Sequence, residues 1–430
     1  RTSERLDEDE TKNLRPGQDR EEDESTDQKP LDLRNDSDRV RLCPIHLFVF
    51  RNYFESNWRS RKSCVIKEME PVTILALTFN TESIKLCGSF VRTHKCLPAD
   101  FWPEFSKIIT TVRPTIIAIG FQEDVKPGSF FHSNLLPTEM QQLGYDLFSR
   151  ENMMGFGKTT FTGIKNNDVF ARGLRLSVYT RSDASSYFRQ DYPNQIYASG
   201  VFRNKGAICI YITLPGESRL AIINTHFPFD AESVANSVQQ QNYSYRLAGV
   251  EAQNNFFNEF YRRLVQTSPA NPDYVIVMGD LNYRMIPFRN WSARETGESI
   301  LENPELHRSY DELTLSIRNQ QVPEMMEGVG NIGPTFAPTC KMKKNRDNSD
   351  DRVYLEEYNI GKYDARVPSY CDRILYKSYT KTRLVCLYYD RFDYGIMNQS
   401  DHAGVYGIFS FETPSQGDEP HISDEGWEII

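Results

Sequence analysis

The stretch VIVMGDLNYRM (residues 275–285) is an apolar run that stops abruptly on an acid. Val275, Ile276 and Val277, with Met278, read as a buried strand. Within the next six residues, Gly279 to Arg284, the chain presents a carboxylate, a carboxamide, a phenol and a guanidinium. A strand that ends in this way predicts polar groups held on a rigid support. The pattern recurs along the chain. Runs 72–79, 116–120, 174–179, 207–213, 220–225, 274–278, 373–376 and 405–411 are β-branched or aromatic and are bounded by Gly, Pro or Asn. Between them lies helical periodicity, clearest over 244–265, where Leu247, Val250, Phe257, Phe260 and Leu264 recur at three- and four-residue steps and predict one buried face. Residues 318–333 and 341–351 read as loops. Strands feeding crossover helices predict an α/β layered domain.

Several of these strands end in groups suited to phosphate chemistry. Asn80 closes the first, Glu123 follows the second, and His226 follows the run at 220–225. Asp280 and Asn282 close the opening stretch, Asp372 precedes the run at 373–376, and Asp401 and His402 stand just before the last strand. A lone carboxylate after a strand is usually solvated, and a lone histidine is more often structural than catalytic. The set carries more weight, because only seven histidines exist in the chain and two belong to it.

Composition sets bounds on this reading. Of the net charge of −9, residues 1–30 carry eleven acids against six bases, and their only aliphatic residues are Leu6 and Leu14. So little apolar surface cannot offset the entropy of ordering, which predicts a disordered acidic segment over 1–40. Residues 41–68, with Phe48, Phe50, Tyr53 and Phe54, are expected to form a lead-in that packs on a main domain over 69–413, followed by a polar tail over 414–430. The near-balanced body argues against general nucleic-acid binding. The chain begins at Arg1 and carries sequons at Asn35, Asn242, Asn290 and Asn398, which point to secretion, with a cytoplasmic or peripheral-membrane protein as the alternative. Eight cysteines without a CxxC pair indicate neither a zinc site nor a disulfide framework. MGFGKTT (residues 154–160) mimics a phosphate-binding loop, but Asn152 stands where the first Gly is required.

GDLNYRM and VPSYCDRIL resemble the two signature motifs of the inositol polyphosphate 5-phosphatases, and FQE, RNKGA, NTHF, FAPTCK and SDHAGVY resemble the family's other blocks in the same order. The resemblance covers about residues 70–412. It implies a DNase I-like four-layer α/β/β/α sandwich, two packed β-sheets flanked by helices. It also implies Mg2+-dependent hydrolysis of the 5-phosphate of phosphoinositide lipids or soluble inositol phosphates by a monomer. Substrates of this class are phosphatidylinositol 4,5-bisphosphate, phosphatidylinositol 3,4,5-trisphosphate and inositol 1,4,5-trisphosphate. In that scheme Glu123 and Asn80 hold Mg2+, and Asp280 orients or deprotonates the attacking water. Asn282 donates to the scissile phosphate, as do His402 and His226 in their protonated form. Asp372 holds the His402 ring, and Asp401 belongs to the same SDH block. Asn204, Lys205, Tyr283, Arg284, Lys341, Lys362, Arg366 and Arg373 are the expected substrate contacts. Phe130 and Phe131 stand where an apolar loop would touch lipid, core packing being an equal alternative. Cys340 and Asp364 depart from the family's Tyr and Lys, so that either recognition of the neighbouring 4-phosphate is altered or Lys362 takes it over. Tyr370 replaces a Trp. A nuclease of the same superfamily and a non-catalytic phosphoinositide-binding protein are the competing readings.

Overall fold

The computed structural model describes residues 71–81, 101–124, 135–153, 173–199, 205–239, 242–286, 293–303, 305, 307–340, 342, 367–392 and 400–412. The chain separates into Arg1–Ile66 and Lys67–Ile430. The acidic segment, the lead-in and the C-terminal tail lie outside the described residues.

The β-branched runs form strands as expected. β1 (Thr73–Asn80), β2 (Ile116–Gln122), β4 (Leu174–Arg181) and β12 (Val405–Glu412) belong to one six-stranded sheet, together with β3 (Tyr145–Met153) and β11 (Arg383–Arg391). Its order is β11-β12-β1-β2-β4-β3. The second sheet has the order β5-β6-β7-β8-β10-β9, with β5 at Gln195–Ser199, β6 at Lys205–Thr213, β7 at Arg219–His226, β8 at Tyr274–Asp280, β9 at Met326–Glu327 and β10 at Asp372–Ser378. Both sheets are mixed: β1 pairs in parallel with β2, and β7 with β8, while the remaining pairs are antiparallel.

Successive side chains on a strand point to opposite faces, so a strand buried on both sides reads as continuous apolar sequence. Ile208, Ile210, Leu220, Ile222, Ile276 and Met278 of the second sheet share one core with Ile74, Ala76, Ile116 and Ala118 of the first. The alternate residues Ala207, Cys209, Ala221, Ile223, Val275 and Val277 pack the other way, against Val250, Phe257 and Phe260 of helix α4. The other helices are α1 (Phe101–Val112), α2 (Leu135–Gln142), α3 (Ala231–Gln239), α5 (Ala293–Glu302), α6 (His307–Tyr310) and α7 (Glu312–Arg318), with α4 itself at Leu247–Tyr261. Two mixed sheets flanked by helices are the expected sandwich.

The helix expected over 244–265 has a 3-10 turn before α4 and a π turn at Arg262–Gln266 after it. Leu247, placed on its buried face by periodicity, is 54% exposed. The buried stripe begins at Val250 instead. The loop expected over 318–333 includes the short edge strand β9, which pairs with β10.

Candidate active site

The apolar alternation that fills the space between the sheets turns polar at one end of the central strands. Ile74 and Ala76 on β1 are followed at the same spacing by Thr78 and Asn80. Leu220 and Ile222 on β7 lead to Asn224 and His226, and Ile276 and Met278 on β8 lead to Asp280. β10 runs the opposite way and places Asp372 before Ile374. Register then brings these ends together, because His226 lies opposite Asp280 and Asp280 opposite Asp372. Strand pairing alone therefore sets three ionisable side chains in one row. Gly279 makes the close approach possible: a Cβ there would lie 1.9 Å from the Thr225 carbonyl oxygen.

Beneath the row, buried amides tie the two sheets together. Gln122 Nε2 donates to Asn224 Oδ1 at 2.6 Å and to Thr78 Oγ1 at 2.9 Å. Asn224 Nδ2 donates to the carbonyls of Phe121 and Arg175 at 3.0 and 2.8 Å. Sequence reading passed over Gln122 and Asn224, although extending the two-residue period by one step past the apolar run marks both.

Asp280 is the hub. Its Oδ2 accepts from Asn80 Nδ2 at 2.8 Å and faces His226 Nε2 at 3.2 Å and His402 Nε2 at 3.9 Å. Its Oδ1 accepts from the Asn282 amide nitrogen at 3.1 Å. Asn282 has φ of 55°, a left-handed conformation that costs a non-glycine residue about 1 kcal/mol or more and clusters at functional sites. Its side-chain nitrogen donates to the Phe227 carbonyl at 3.2 Å, and its oxygen accepts from Arg284 Nη2 at 2.8 Å. The Arg284 guanidinium stacks 4.4 Å over the Phe229 ring. His402 Nδ1 lies 2.8 Å from Asp372 Oδ2, and Asp401 Oδ1 lies 3.8 Å from Nε2. Ser400 orients this loop, donating to the Asn80 carbonyl at 2.7 Å while accepting from the His402 amide at 3.1 Å.

The charges follow from these neighbours. Burial works to raise the Asp280 carboxyl, but His402, His226 and Lys205 outweigh it and hold the group below the usual carboxylate range. Burial pushes Asp372 up to about 7 against the pull of His402. Burial also opposes a charge on His402, yet Asp372, Cys340 and Asp280 together keep the imidazole protonated well above its ordinary value. His226 differs. Burial first, and then the Lys205 ammonium that contacts its Nε2, lower its proton affinity. Lys205 brings a cation to this end of the row.

Asp280, Asp372 and His402 offer ligand atoms within 4.8 Å of one another and form a group that could hold a metal ion. The same atoms are already engaged by the Asp372–His402 hydrogen bond, so a cation there would compete with the shared proton. The donors better suited to a hard ion are Glu123 and Asn80. Asn80 Nδ2 is committed to Asp280, which turns the carboxamide oxygen away from that carboxylate. Glu123 follows directly on Gln122, whose backbone lies opposite Asn80, and its charge is felt at His226. It too has a left-handed φ, of 59°. Carboxylate and carboxamide oxygens at neighbouring strand ends suit a hard divalent cation.

Not every expected substrate contact reaches this place. Tyr283 is fully buried and its hydroxyl donates to Asn254 Oδ1 at 2.7 Å, on the helix side of the second sheet. Arg373 is fully buried between Asp311, at 3.0 Å, and Glu327. Both substrate-contact expectations are corrected, because these side chains hold elements together. Lys205 and Arg284 do reach the site. Asn204, Lys341, Lys362, Asp364 and Arg366, with Phe130 and Phe131, lie outside the described residues. Cys340 faces His402 and Arg284: its Sγ is 3.6 Å from His402 Nε2 and accepts from Arg284 Nη1 at 3.5 Å. The neighbouring Cys371 thiol comes first among the influences that lower the Cys340 thiol well below its ordinary value, ahead of the opposing effect of burial and the charges of His402 and Arg284.

Comparison with known proteins bears on the family and the fold. A profile described as endonuclease/exonuclease/phosphatase family 2 matches residues 77–408. Among curated proteins, phosphatidylinositol 3,4,5-trisphosphate 5-phosphatase 1 of Homo sapiens is 30% identical over 219 residues, covering 50% of this chain and 16% of that protein. Phosphatidylinositol 3,4,5-trisphosphate 5-phosphatase 2A of Danio rerio is 27% identical over 219 residues, with 50% and 15% covered. The chain thus spans only a small part of these relatives' length. A crystal structure of the inositol polyphosphate 5-phosphatase domain of SPsynaptojanin, in complex with inositol (1,4)-bisphosphate and a calcium ion, superposes with TM-score 0.52 at 19% identity, covering 85% of this chain and 90% of that one. Cimex nitrophorin in a ferrous NO complex has TM-score 0.50 at 17% identity over 79% and 98% of the two chains. These two likenesses establish the fold, on which different ligands are carried. The chain belongs to the endonuclease/exonuclease/phosphatase family, and the curated proteins it matches include phosphatidylinositol 3,4,5-trisphosphate 5-phosphatases.

Proposed function

We propose that this chain is a Mg2+-dependent phosphomonoesterase that removes the 5-phosphate from phosphoinositide lipids or soluble inositol polyphosphates. The observation that carries this reading is the row His226, Asp280 and Asp372, completed by a protonated His402 that Asp372 and Asp280 hold from two sides.

Asp280 is too weak a base near neutral pH to take a full proton early, so its role is to accept a hydrogen bond from the attacking water and aim it. His402, protonated and fixed by Asp372, donates through Nε2 to a phosphoryl oxygen. Lys205 and Arg284 add positive charge at the two ends of the row, and Asn282 offers its second amide hydrogen. A phosphoryl group passing through a loose transition state needs this sort of positioning and charge more than covalent chemistry. Mg2+, held by Glu123 and Asn80, would supply charge neutralisation at the phosphoryl oxygens and the departing inositol oxygen.

The test is release of inorganic phosphate from inositol phosphates and phosphoinositide vesicles, with and without Mg2+, and with and without a 4-phosphate on the substrate. Metal-dependent release from 5-phosphorylated compounds, reduced at least about 100-fold by Asp280→Ala, is expected. Nucleotide release from DNA without phosphate release would instead support a nuclease. Binding without turnover would support a non-catalytic phosphoinositide-binding protein.

A further inference from the structure

Two buried arginines line one cavity with part of their charge unanswered. Arg246, on the 3-10 turn before α4, and Arg284, beyond β8, are 1% and 5% exposed. Arg246 Nη2 donates to Glu312 Oε2 at 3.0 Å and to Gln253 Oε1. Arg284 Nη2 donates to Asn282 Oδ1 at 2.8 Å, and Nη1 to Cys340 Sγ at 3.5 Å. Arg246 Nη1 and Arg284 Nε, by contrast, have no hydrogen-bond acceptor among the described residues. The cavity has a volume of about 10 Å3, and Val234, Ser237, Glu312 and Ser369 line it as well. We propose that it is a halide site, which takes a single chloride ion against the two open guanidinium donors.

A buried charged donor without an acceptor is costly, so the cavity calls for an occupant that accepts. The other polar groups decide between water and an anion. Ser237 Oγ donates to the Val234 carbonyl at 2.9 Å. Ser369 Oγ donates to the Val367 carbonyl at 2.8 Å and accepts from the Met285 amide at 3.0 Å. Glu312 Oε1 faces Arg246 Nε at 3.0 Å and the Tyr243 hydroxyl at 3.3 Å. Its Oε2 accepts from Arg246 Nη2 at 3.0 Å and from the Arg284 amide at 2.8 Å. Water has two hydrogens of its own to place, whereas the Glu312 oxygens and Ser369 Oγ are already engaged. Chloride has none to place. Among the described lining residues the charged ones are Arg246, Arg284 and Glu312, which leaves a surplus of positive charge. Room for about one water-sized body admits a monatomic anion and excludes phosphate or sulfate.

The ion bears on the candidate active site through Arg284. Its guanidinium lies 4.4 Å over the Phe229 ring, and its Nη1 meets a thiol, a weak acceptor. A chloride on Nε pins the guanidinium whose Nη2 holds Asn282 Oδ1 at 2.8 Å. That bond sets the plane of the Asn282 carboxamide, whose second amide hydrogen is offered to the phosphoryl group in the proposed reaction.

To test this, the full chain is prepared in sodium gluconate and unfolded thermally while chloride replaces gluconate at constant ionic strength. A saturable rise in Tm of a few degrees is expected, and bromide should reproduce it. A crystal exchanged into bromide should show an anomalous peak in the cavity between Arg246 and Arg284. Ser237→Asp tethers a carboxylate at the same place, so its Tm should be raised in gluconate and indifferent to chloride. With a 5-phosphorylated substrate, turnover should be at least about 5-fold higher in saturating chloride than in gluconate. A Tm that chloride leaves unchanged, or bromide peaks confined to other places, overturns the site. So does a chloride-dependent rise that survives intact in folded Ser237→Asp. A filled cavity with unchanged turnover overturns the coupling to Asn282. That coupling rests on the phosphatase reading, but the ion does not: should the chain release no phosphate in either salt, that reading fails while Tm and bromide still decide the site. If Ser237→Asp does not fold, the bromide map of the wild type is sufficient.

Discussion

His402 sits between a carboxylate that holds its ring, Asp372 at 2.8 Å, and a second that faces its free nitrogen, Asp280 at 3.9 Å. Its folded proton affinity is raised, so the stabilisation from its charge is complete below the unfolded value near about 6.5 and is lost as pH rises through the folded value. Asp280 has the opposite sign: its contribution is present above about 3.9 and is lost as pH falls through its depressed folded value. Turnover should therefore rise on an acid limb at about 7, as the Asp372 carboxyl ionises, and decline on an alkaline limb well above 6.5 that reports His402. Asp372→Asn keeps a hydrogen-bond acceptor but removes the charge. The expected outcome is a fall in kcat of about 100-fold and an alkaline limb displaced toward lower pH, both read from a kcat–pH profile. A limb that stays in place would mean that Asp372 only packs the ring. His226→Gln should leave this limb where it is, because the neutral His226 has no proton to lose there.

Arg373 shows how a motif residue can serve an element rather than a ligand. It lies on β10 with its guanidinium shared between Asp311, at the start of α7, and Glu327 of β9, and it is wholly buried. Removing one partner of such a cluster strands buried charge, so Arg373→Met should cost about 3–5 kcal/mol in denaturant unfolding. The folded fraction should keep its KM, and a raised KM with intact stability would restore the substrate-contact role. The same distinction explains what the sequence reveals. The eight strands anticipated from apolar runs are the eight interior strands of the two sheets, whereas β3, β5, β9 and β11, which were not anticipated, are the four edges. Interior strands are covered on both faces and read as continuous apolar sequence. β3 instead is buried only at Tyr145, Ser149 and Met153, with Asp146, Arg150, Glu151 and Asn152 between them, and β9 has only two residues. At the site, Asn80, His226, Asp280 and His402 were legible as strand ends because register needs only backbone pairing. That Tyr283 turns to the helix side and that Lys205 meets His226 depend on packing, which no linear pattern carries.

At the scale of the whole molecule, the site caps the core that the two sheets share, and each sheet contributes part of it. Asn80 and Glu123 come from the first sheet's strand ends, while His226, Asp280 and Asp372 come from the second's. A cation would be held by Glu123 and Asn80, and the Asn80–Asp280 hydrogen bond already links the sheets, so on the proposed reading its binding should stabilise the fold. An ion that binds only the folded state adds RT ln(1 + [L]/Kd), about 2.7 kcal/mol at a hundred times Kd. The corresponding rise in Tm is a few degrees, measurable by thermal unfolding with Mg2+ and no substrate present. Two donor sets then give different results. Glu123→Gln should abolish the Mg2+-dependent rise, because a carboxamide is a poorer ligand for a hard dication. Asp372→Asn should retain it, since Asp372 is engaged with the His402 proton rather than with the ion. The reverse pattern would move the metal to the Asp280, Asp372 and His402 group and would give His402 the work of a ligand in place of a proton donor.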